Sequence, residues 1–425
     1  MTQQSDYAVV VKSGTLDAVA TVPGSKSIAH RALICAALAR GESTISGLSD
    51  GDDTQAMLQG LMMLGTSISL NGADARVDGA IDLDCLDAIT VDANLAGTTA
   101  RFLTAIGALR RGPMTVTGND SLRSRPMKDL HLSLEQLGAG VAWQNEQYCL
   151  PVTVQRAESY SRSVQVAGDT SSQFVTSLML IAPMLEHGLI IELTGNVISL
   201  PYIAMSASVM RSFGATVRIA DNRIIEIDGG GYVGCKFVVE PDASAASYPF
   251  AAAAVVGGRV RVEGMRSNML QGDSRFIDVL RQLGCETLVD QTGTTISRDV
   301  NTPLQGVDID MSEISDLVPT LAIVAMFAES PTRIRGVGFI RNKESDRIGD
   351  LAHEMRSLGA NVVEHGDGLE ILPQALHSGR CDTHHDHRLA MAFGVAGLKL
   401  PGVIIGESHV VSKSWPQFWA MLEAL

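Results

Sequence analysis

Six stretches of this chain repeat one pattern: an apolar run of helical length, a short β-branched run, then glycine. They are AHRALICAALARGESTISG, AGTTARFLTAIGALRRGPMTVTG, SSQFVTSLMLIAPMLEHGLIIELTG, SAASYPFAAAAVVGGRVRVEG, SDLVPTLAIVAMFAESPTRIRG and HDHRLAMAFGVAGLKLPGVIIG. Their closing glycines, Gly47, Gly118, Gly195, Gly264, Gly336 and Gly406, stand 69 to 77 residues apart. A period held this closely marks an internal repeat, each copy being one supersecondary unit. Each of the first five glycines is followed by an amphipathic run ending in Leu-Gly or Phe-Gly, such as RPMKDLHLSLEQLG. A glycine in the left-handed conformation is a common helix stop. The sixth such run, WPQFWAMLEAL, reaches the C-terminus. Strand patterns such as ATVRIA and ANVVEH follow the stops, so each unit reads β-α-β-α-β-β. The first helix of a unit is apolar all round and predicts burial, whereas the second keeps a wet face.

Units of this length are too long for a helical solenoid, and 425 residues exceed what one core usually serves. Size therefore predicts two domains of three units, divided near VVEPDAS, where Pro241 precedes the fourth buried helix. Hydrophobic residues make up 45% but aromatics only 4%, so the cores must be built from Ala, Val, Leu, Ile and Met. The opening TQQSDYAVVVKSG lacks the basic start and apolar core of a signal peptide. The longest apolar runs, such as FAAAAVVGG, are far shorter than a membrane span. The six cysteines are scattered without a C-x-x-C pair, which argues for reduced thiols in a cytoplasm and against a zinc site or a disulfide framework. A net charge of −14 disfavours nucleic acid as a partner. It leaves room for a local basic cleft that collects small anions.

Such a cleft is visible as cations at helix starts. Lys26, Arg31, Arg101, Arg125, Lys343, Arg347 and Arg388 all fall at or within two turns of a predicted helix entrance. A cation there opposes the helix dipole, so a purely structural design would place carboxylates instead. Bound anions resolve the conflict, because free N–H groups at helix N-termini also suit them. Arginine adds bidentate recognition of phosphate and carboxylate. So many cations imply at least two anionic groups, on two ligands. The hydroxyls at Ser171, Ser172, Ser244 and Ser247 are, taken alone, ordinary N-caps. Equivalent helix ends of a repeat point the same way, so these groups are expected to converge on a face between the two halves. Competing motifs fail. PGSKS lacks the earlier glycine of a P-loop, HHDH at His384 to His387 lacks a complementary metal-ligand cluster, and no G-x-S-x-G elbow occurs.

The segments PGSKSIAHRALICAALA, LAGTTARFLTA, SRPM, GDTSSQFVTSLM, SLPYI, EISDL, NKESDRI, DHRLAMAF and VSKSWPQF occur in this order from about residue 20 to residue 420. Together they resemble the 5-enolpyruvylshikimate-3-phosphate synthase family. The resemblance implies a two-domain inverse α/β barrel of six β-α-β-α-β-β repeats. It also implies that the N-terminal strand belongs with the second half, giving domains of 22–241 and of 1–21 plus 242–425 with the active site in the cleft between them. The implied reaction transfers enolpyruvyl from phosphoenolpyruvate to the 5-hydroxyl of shikimate 3-phosphate and releases phosphate. By the same resemblance Lys26, Ser27, Arg31, Ser171, Ser172, Gln173, Ser199, Tyr202, Asp316 and Lys343 hold shikimate 3-phosphate. Lys26, Gly97, Arg125, Gln173, Arg347, Arg388 and Lys413 hold phosphoenolpyruvate. Asp316 is the expected base for the 5-hydroxyl, with Glu344, Lys26 and His387 as the candidate proton donors. Neighbouring cations are expected to lower the pKa of Lys26. No metal or organic cofactor is expected, and relatives suggest a monomer. The sister enzyme, UDP-N-acetylglucosamine enolpyruvyl transferase, carries a catalytic cysteine in the loop before its second Arg-Pro, and GNDSLRSRP here has none. Two departures stand out: Leu95 replaces an asparagine of many relatives, and Phe339-Ile340 stands where they often carry Asn and Trp.

Overall fold

The sequence period becomes five four-stranded sheets of one strand order and a three-stranded sheet in the sixth repeat, beside a two-stranded pairing of Ala39–Arg40 with Tyr232–Val233. In the computed structural model, which describes residues 6–78, 80–169 and 171–425, the chain forms two units. One is Gly24–Val239, and the other joins Met1–Pro23 to Glu240–Leu425. The second repeat shows the pattern most simply. Ile89–Asp92 lies parallel to Met114–Thr117, which pairs antiparallel with Val152–Gln155, which pairs antiparallel with Gly140–Trp143. The parallel step needs a crossover, and the buried helix Gly97–Gly107 supplies it. The antiparallel steps form the hairpin after the second helix. The third repeat (Ser163–Ala167, Leu189–Thr194, Ile224–Ile227, Val217–Ala220) and the fifth (Asp308–Asp310, Thr332–Arg335, Gly368–Leu372, Asn361–His365) do the same.

The first and fourth repeats begin differently. The parallel neighbour of Ser43–Ser46 is Lys236–Val238, from the far end of its unit, with Phe237 opposite Ile45. The parallel neighbour of Gly258–Glu263 is the N-terminal strand Leu16–Ala20, with Ala18 opposite Val260. The sixth sheet has three strands, Gly379–Cys381, Val403–Ile405 and the short Tyr7–Ala8. In each unit the first sheet is thus completed by a strand distant in sequence from the rest of that sheet.

The first helices fill the middle of each unit. Lys26–Leu38, Gly97–Gly107 and Ser172–Ile181 contact one another in one unit, and Ala243–Val256, Val318–Ala325 and His387–Gly397 do so in the other. All 14 residues of Ala243–Val256 are buried, and its run of alanines lets neighbouring helices approach closely. The second helices, such as Lys128–Leu137 and Leu200–Ser212, are buried on one face only. Glycine is required at specific junctions. Gly47 adopts φ +81, and a Cβ on Gly118 would sit 2.7 Å from the Asn94 carbonyl oxygen.

Some second helices start later than the sequence pattern suggests. Arg125 and Pro126 precede Lys128–Leu137, and the run NKESDRI lies ahead of Gly349–Ser357. There Asp346 Oδ1 accepts from the backbone N–H of Ile348 and Gly349, which sets the helix start after it. Among the described residues, no helix is long and apolar enough to cross a membrane.

Candidate active site

In the unit Gly24–Val239 the helix entrances assemble two polar clusters. Ser25 caps Lys26–Leu38 by accepting from the Ile28 N–H at 3.4 Å. Lys26, the first helical residue, donates from Nζ to Asp53 Oδ2 at 2.8 Å. Asp53 belongs to the first turn of Asp52–Met63, so one helix start neutralises the cation on the next. One partner that the structure provides for Lys26 is thus a carboxylate. One turn on, Arg31 is only 1% exposed. Its Nε donates to Ser206 Oγ at 2.8 Å, one Nη to the Ser27 carbonyl at 2.6 Å and the other to Thr176 Oγ1 at 3.3 Å. The Tyr202 ring lies 6.0 Å from its Cζ. Burial pulls the Arg31 pKa down to about 10. Ser199, buried in the left-handed conformation at φ +55, precedes Leu200–Ser212, which presents Tyr202 and Ser206.

The second cluster surrounds Gly97. The helix Gly97–Gly107 begins without a side-chain cap. A Cβ at Gly97 would stand 2.6 Å from an Arg101 Nη and 3.7 Å from an Arg125 Nη. The glycine therefore leaves room for two guanidinium groups against the helix end. Arg101 donates to Gln173 Oε1 at 2.8 Å and stacks over Phe174 at 5.5 Å. Ser171 Oγ accepts from the Gln173 N–H at 3.3 Å, which caps Ser172–Ile181. Gly97, Arg125 and Gln173 are thus brought together, with Arg101 as an addition for which sequence gave a cation but no role.

In the other unit Arg347 is the hub. It is 1% exposed and donates to three carboxylates. Nε meets Asp386 Oδ2 at 2.7 Å, one Nη meets Asp316 Oδ1 at 3.0 Å, and the other meets Glu344 Oε2 at 2.8 Å and Asp386 Oδ1 at 3.2 Å. Arg388 donates to Asp316 Oδ2 at 2.8 Å. Burial opposes the Arg347 charge, but Asp386, Glu344 and Asp316 outweigh it and raise its pKa. Burial likewise pushes the Asp316 carboxyl up, while Arg388, Lys343 and Arg347 prevail and hold it well below the usual carboxylate range. Lys343 lies over the Phe339 ring at 6.0 Å, and Lys413 is buried at the end of the turn Ser408–Lys413. His387 is buried with Nδ1 3.6 Å from Asp386 Oδ1, beyond hydrogen-bonding range.

The sequence pointed to the cations and, among the acids that hold them, to Asp316 and Glu344, but it assigned no role to Asp53 or Asp386. Asp53 is the second residue of the run DDTQAMLQG, and Asp386 stands two residues before Arg388, where its carboxylate caps His387–Gly397. An acid at each predicted helix start was the available signal. Asp273 carried none. It is buried beside Ser244 and Gln271, and Gln271 Nε2 donates to it at 3.1 Å. Burial and the charge of Asp316 push its carboxyl up to about 6.

Residues 10–422 match the family model described as EPSP synthase (3-phosphoshikimate 1-carboxyvinyltransferase). A protein of Nostoc punctiforme named 3-phosphoshikimate 1-carboxyvinyltransferase is 40% identical over 415 residues, which is 96% of this chain and 97% of that protein. One of the same name from Methanoregula boonei is 38% identical, covering 95% of each. Among solved structures, an EPSP synthase from Acinetobacter baumannii superposes with a TM-score of 0.79 at 24% identity, covering 98% of this chain and 97% of that one. The enolpyruvyl transferase NikO from Streptomyces tendae gives the same TM-score at 18% identity, covering 99% of this chain and 98% of that one. At those identities the structural matches speak for the fold alone.

Proposed function

The chain belongs to the EPSP synthase family and transfers the enolpyruvyl group of phosphoenolpyruvate to the 5-hydroxyl of shikimate 3-phosphate, and we propose that the clustered side chains described above carry the steps of that reaction. Arg125, Arg347, Arg388 and Lys413, with Gly97, Gln173 and Lys26, take phosphoenolpyruvate. Ser27, Arg31, Ser171, Ser172, Gln173, Ser199, Tyr202 and Lys343, with Lys26 and Asp316, take shikimate 3-phosphate. These fifteen residues fall in both units.

The observation that carries the reading is the pairing of Asp316 with Arg347 and Arg388. A carboxylate held by two guanidinium groups is ionised but weakly basic. An anionic substrate that draws Arg388 and Arg347 to itself loosens that hold, and the basicity of Asp316 rises when substrate is in place. Asp316 then accepts the 5-hydroxyl proton as the oxygen attacks C2 of phosphoenolpyruvate. Glu344, Lys26 or His387 supplies the proton that the methylene carbon takes up. The tetrahedral adduct collapses by expelling phosphate, and the same carbon returns a proton to the enzyme. Arginines around the phosphate stabilise the charge that develops on it. The sister reaction on UDP-N-acetylglucosamine is disfavoured by the absence of cysteine from GNDSLRSRP. We further read the chain as a cytoplasmic monomer that does not bind nucleic acid, a reading supported by the −14 charge and the unpaired cysteines.

The test is phosphate release. Phosphoenolpyruvate with shikimate 3-phosphate should release phosphate, and a UDP-sugar acceptor should not. Asp316→Ala should lower kcat by about 10²- to 10⁴-fold, the range of a general base, with both KM values changed by less than about threefold. Equal losses in kcat and in binding would remove Asp316 from the role of base.

A further inference from the structure

The motif HHDH lies in the loop between the strand Gly379–Cys381 and the helix His387–Gly397. Its third member, Asp386, grips Arg347, and the next helical residue after His387 is Arg388. His384 and His385 themselves have no role in the reaction described. Both adopt the left-handed conformation, at φ +50 and +58. Adjacent non-glycine residues hold that conformation only where the surroundings fix it.

The surroundings are carboxylates from the helix Gly349–Ser357 and from the loop at Glu407. Glu354, in the helix Gly349–Ser357, is 5% exposed. Its Oε2 accepts from the Asp382 N–H at 3.0 Å, and its Oε1 faces His384 Nε2 at 2.8 Å. His384 Nδ1 lies 3.7 Å from Asp350 Oδ1. The other oxygen of Asp350 accepts from the Asp346 N–H at 2.9 Å, inside the segment that carries Lys343, Glu344 and Arg347. On the other side, His385 Nδ1 lies 3.1 Å from Glu407 Oε2. Glu407 adopts φ +48 and stands directly before the turn that ends in Lys413.

We propose that His384 and His385 are positioning residues: they brace the loops of Arg347, Arg388 and Lys413 into one anion-binding set. The proposal rests on the reading of those three cations as phosphoenolpyruvate ligands. The histidines touch no cation themselves. They act through Glu354, Asp350 and Glu407, whose backbones lead into the other two loops. Besides the histidines, the Ser345–Asp386 and Asp382–Glu354 hydrogen bonds and the ion pairs among the cations and acids join the loops, and the ion pairs are what an anionic substrate must disturb in order to bind. Bracing from outside lets Arg347 and Arg388 exchange a carboxylate for substrate without losing register.

The test is steady-state kinetics of His384→Ala, His384→Gln and His385→Ala, with Arg388→Lys as reference. Displacing a binding group by about 1 Å can cost up to about 10²-fold, so His384→Ala should raise KM for phosphoenolpyruvate by about tenfold. KM for shikimate 3-phosphate should stay within about twofold. The glutamine amide can still donate to Glu354, so His384→Gln should recover most of the loss. His385 is 70% exposed, so His385→Ala should fold normally and raise the same KM by about threefold. An unchanged phosphoenolpyruvate KM in both alanine variants overturns the proposal. So does an equal rise for both substrates, or failure of glutamine to restore function. If Arg388→Lys also leaves that KM unchanged, the ligand assignment has failed and the proposal falls with it.

Discussion

At the scale of single residues, Asp273 has the clearest consequence for pH. It accepts from Ser244 and Gln271 deep in its unit, close enough to Asp316 and Arg388 to feel both charges. Burial, with the negative charge of Asp316, raises its pKa from 3.8 to about 6. The folded state therefore binds this proton more tightly than the unfolded chain does. The stability this contributes is fully present below the unfolded value and is lost as pH rises through about 6. Asp273→Asn keeps an acceptor for Ser244 but carries no charge. Its melting temperature relative to the parent should therefore climb between pH 4 and 7 and level off above that. Each tenfold difference in proton affinity is worth about 1.4 kcal/mol, so the effect is a few kcal/mol at most. A melting difference that stays constant across this range would show that Asp273 is not the titrating group. This residue also marks where the sequence stopped being readable. The cations announced themselves by opposing the helix dipole. Their partners Asp53 and Asp386 are acids at helix starts, where an acid is unremarkable, and Asp273, which accepts from Ser244 and Gln271, had no signal at all. Only the neighbouring chain, brought in from another part of the repeat, shows what each one holds.

At the scale of elements, the existence and type of the helices followed from periodicity, because a helix apolar all round has nowhere to go but the core. Where the polar entrances begin did not follow. Asp346 and Pro126 delay their helices, and this leaves Arg347 and Arg125 on turns, free of helical side-chain directions. Arg31 raises a different question. It links Lys26–Leu38 to Ser172–Ile181 through Thr176 and to Leu200–Ser212 through Ser206, which could be its whole purpose. Thr176 and Ser206 are also paired with each other at 2.9 Å, and Ser206 donates to the Tyr202 carbonyl at 2.7 Å. Those hydroxyls keep partners without the arginine. The groups that accept from Arg31 are neutral, so an apolar side chain of similar length strands no buried counter-charge, and the cost stays small. Arg31→Met should therefore shift unfolding by no more than about 2 kcal/mol, while KM for shikimate 3-phosphate rises at least about tenfold. Loss of folding with an unchanged KM would make Arg31 an interhelical strut and remove it from the substrate site.

At the scale of the whole molecule, the count of six units was legible, and the closing strands were not. Periodicity assigns each sheet the strand just before its buried helix, and for the fourth repeat no local segment reveals that Leu16–Ala20 takes that place. The family resemblance supplied that point, because a strand of five residues carries too little pattern to show its partner. The closure has a physical consequence for the unit built from Met1–Pro23 and Glu240–Leu425. Residues near the start of the described chain meet the last helix. Tyr7 stacks on Trp419 with centroids 4.2 Å apart and donates to Glu423 Oε1, and Lys12 Nζ donates to the Glu423 carbonyl at 2.7 Å. Ends in contact permit circular permutation, since a short flexible linker costs little closure entropy. A chain of residues 240–425 joined by about six Gly/Ser residues to residues 6–23 should fold by itself and melt cooperatively. Residues 240–425 alone lack the parallel partner of Gly258–Glu263 and the antiparallel partner of Val403–Ile405. They leave two sheet edges open over a core of alanines, and should show a broad, non-cooperative transition and a tendency to aggregate. Calorimetry of the two chains decides the matter: equal cooperativity would mean that the N-terminal strands decorate this unit without completing it.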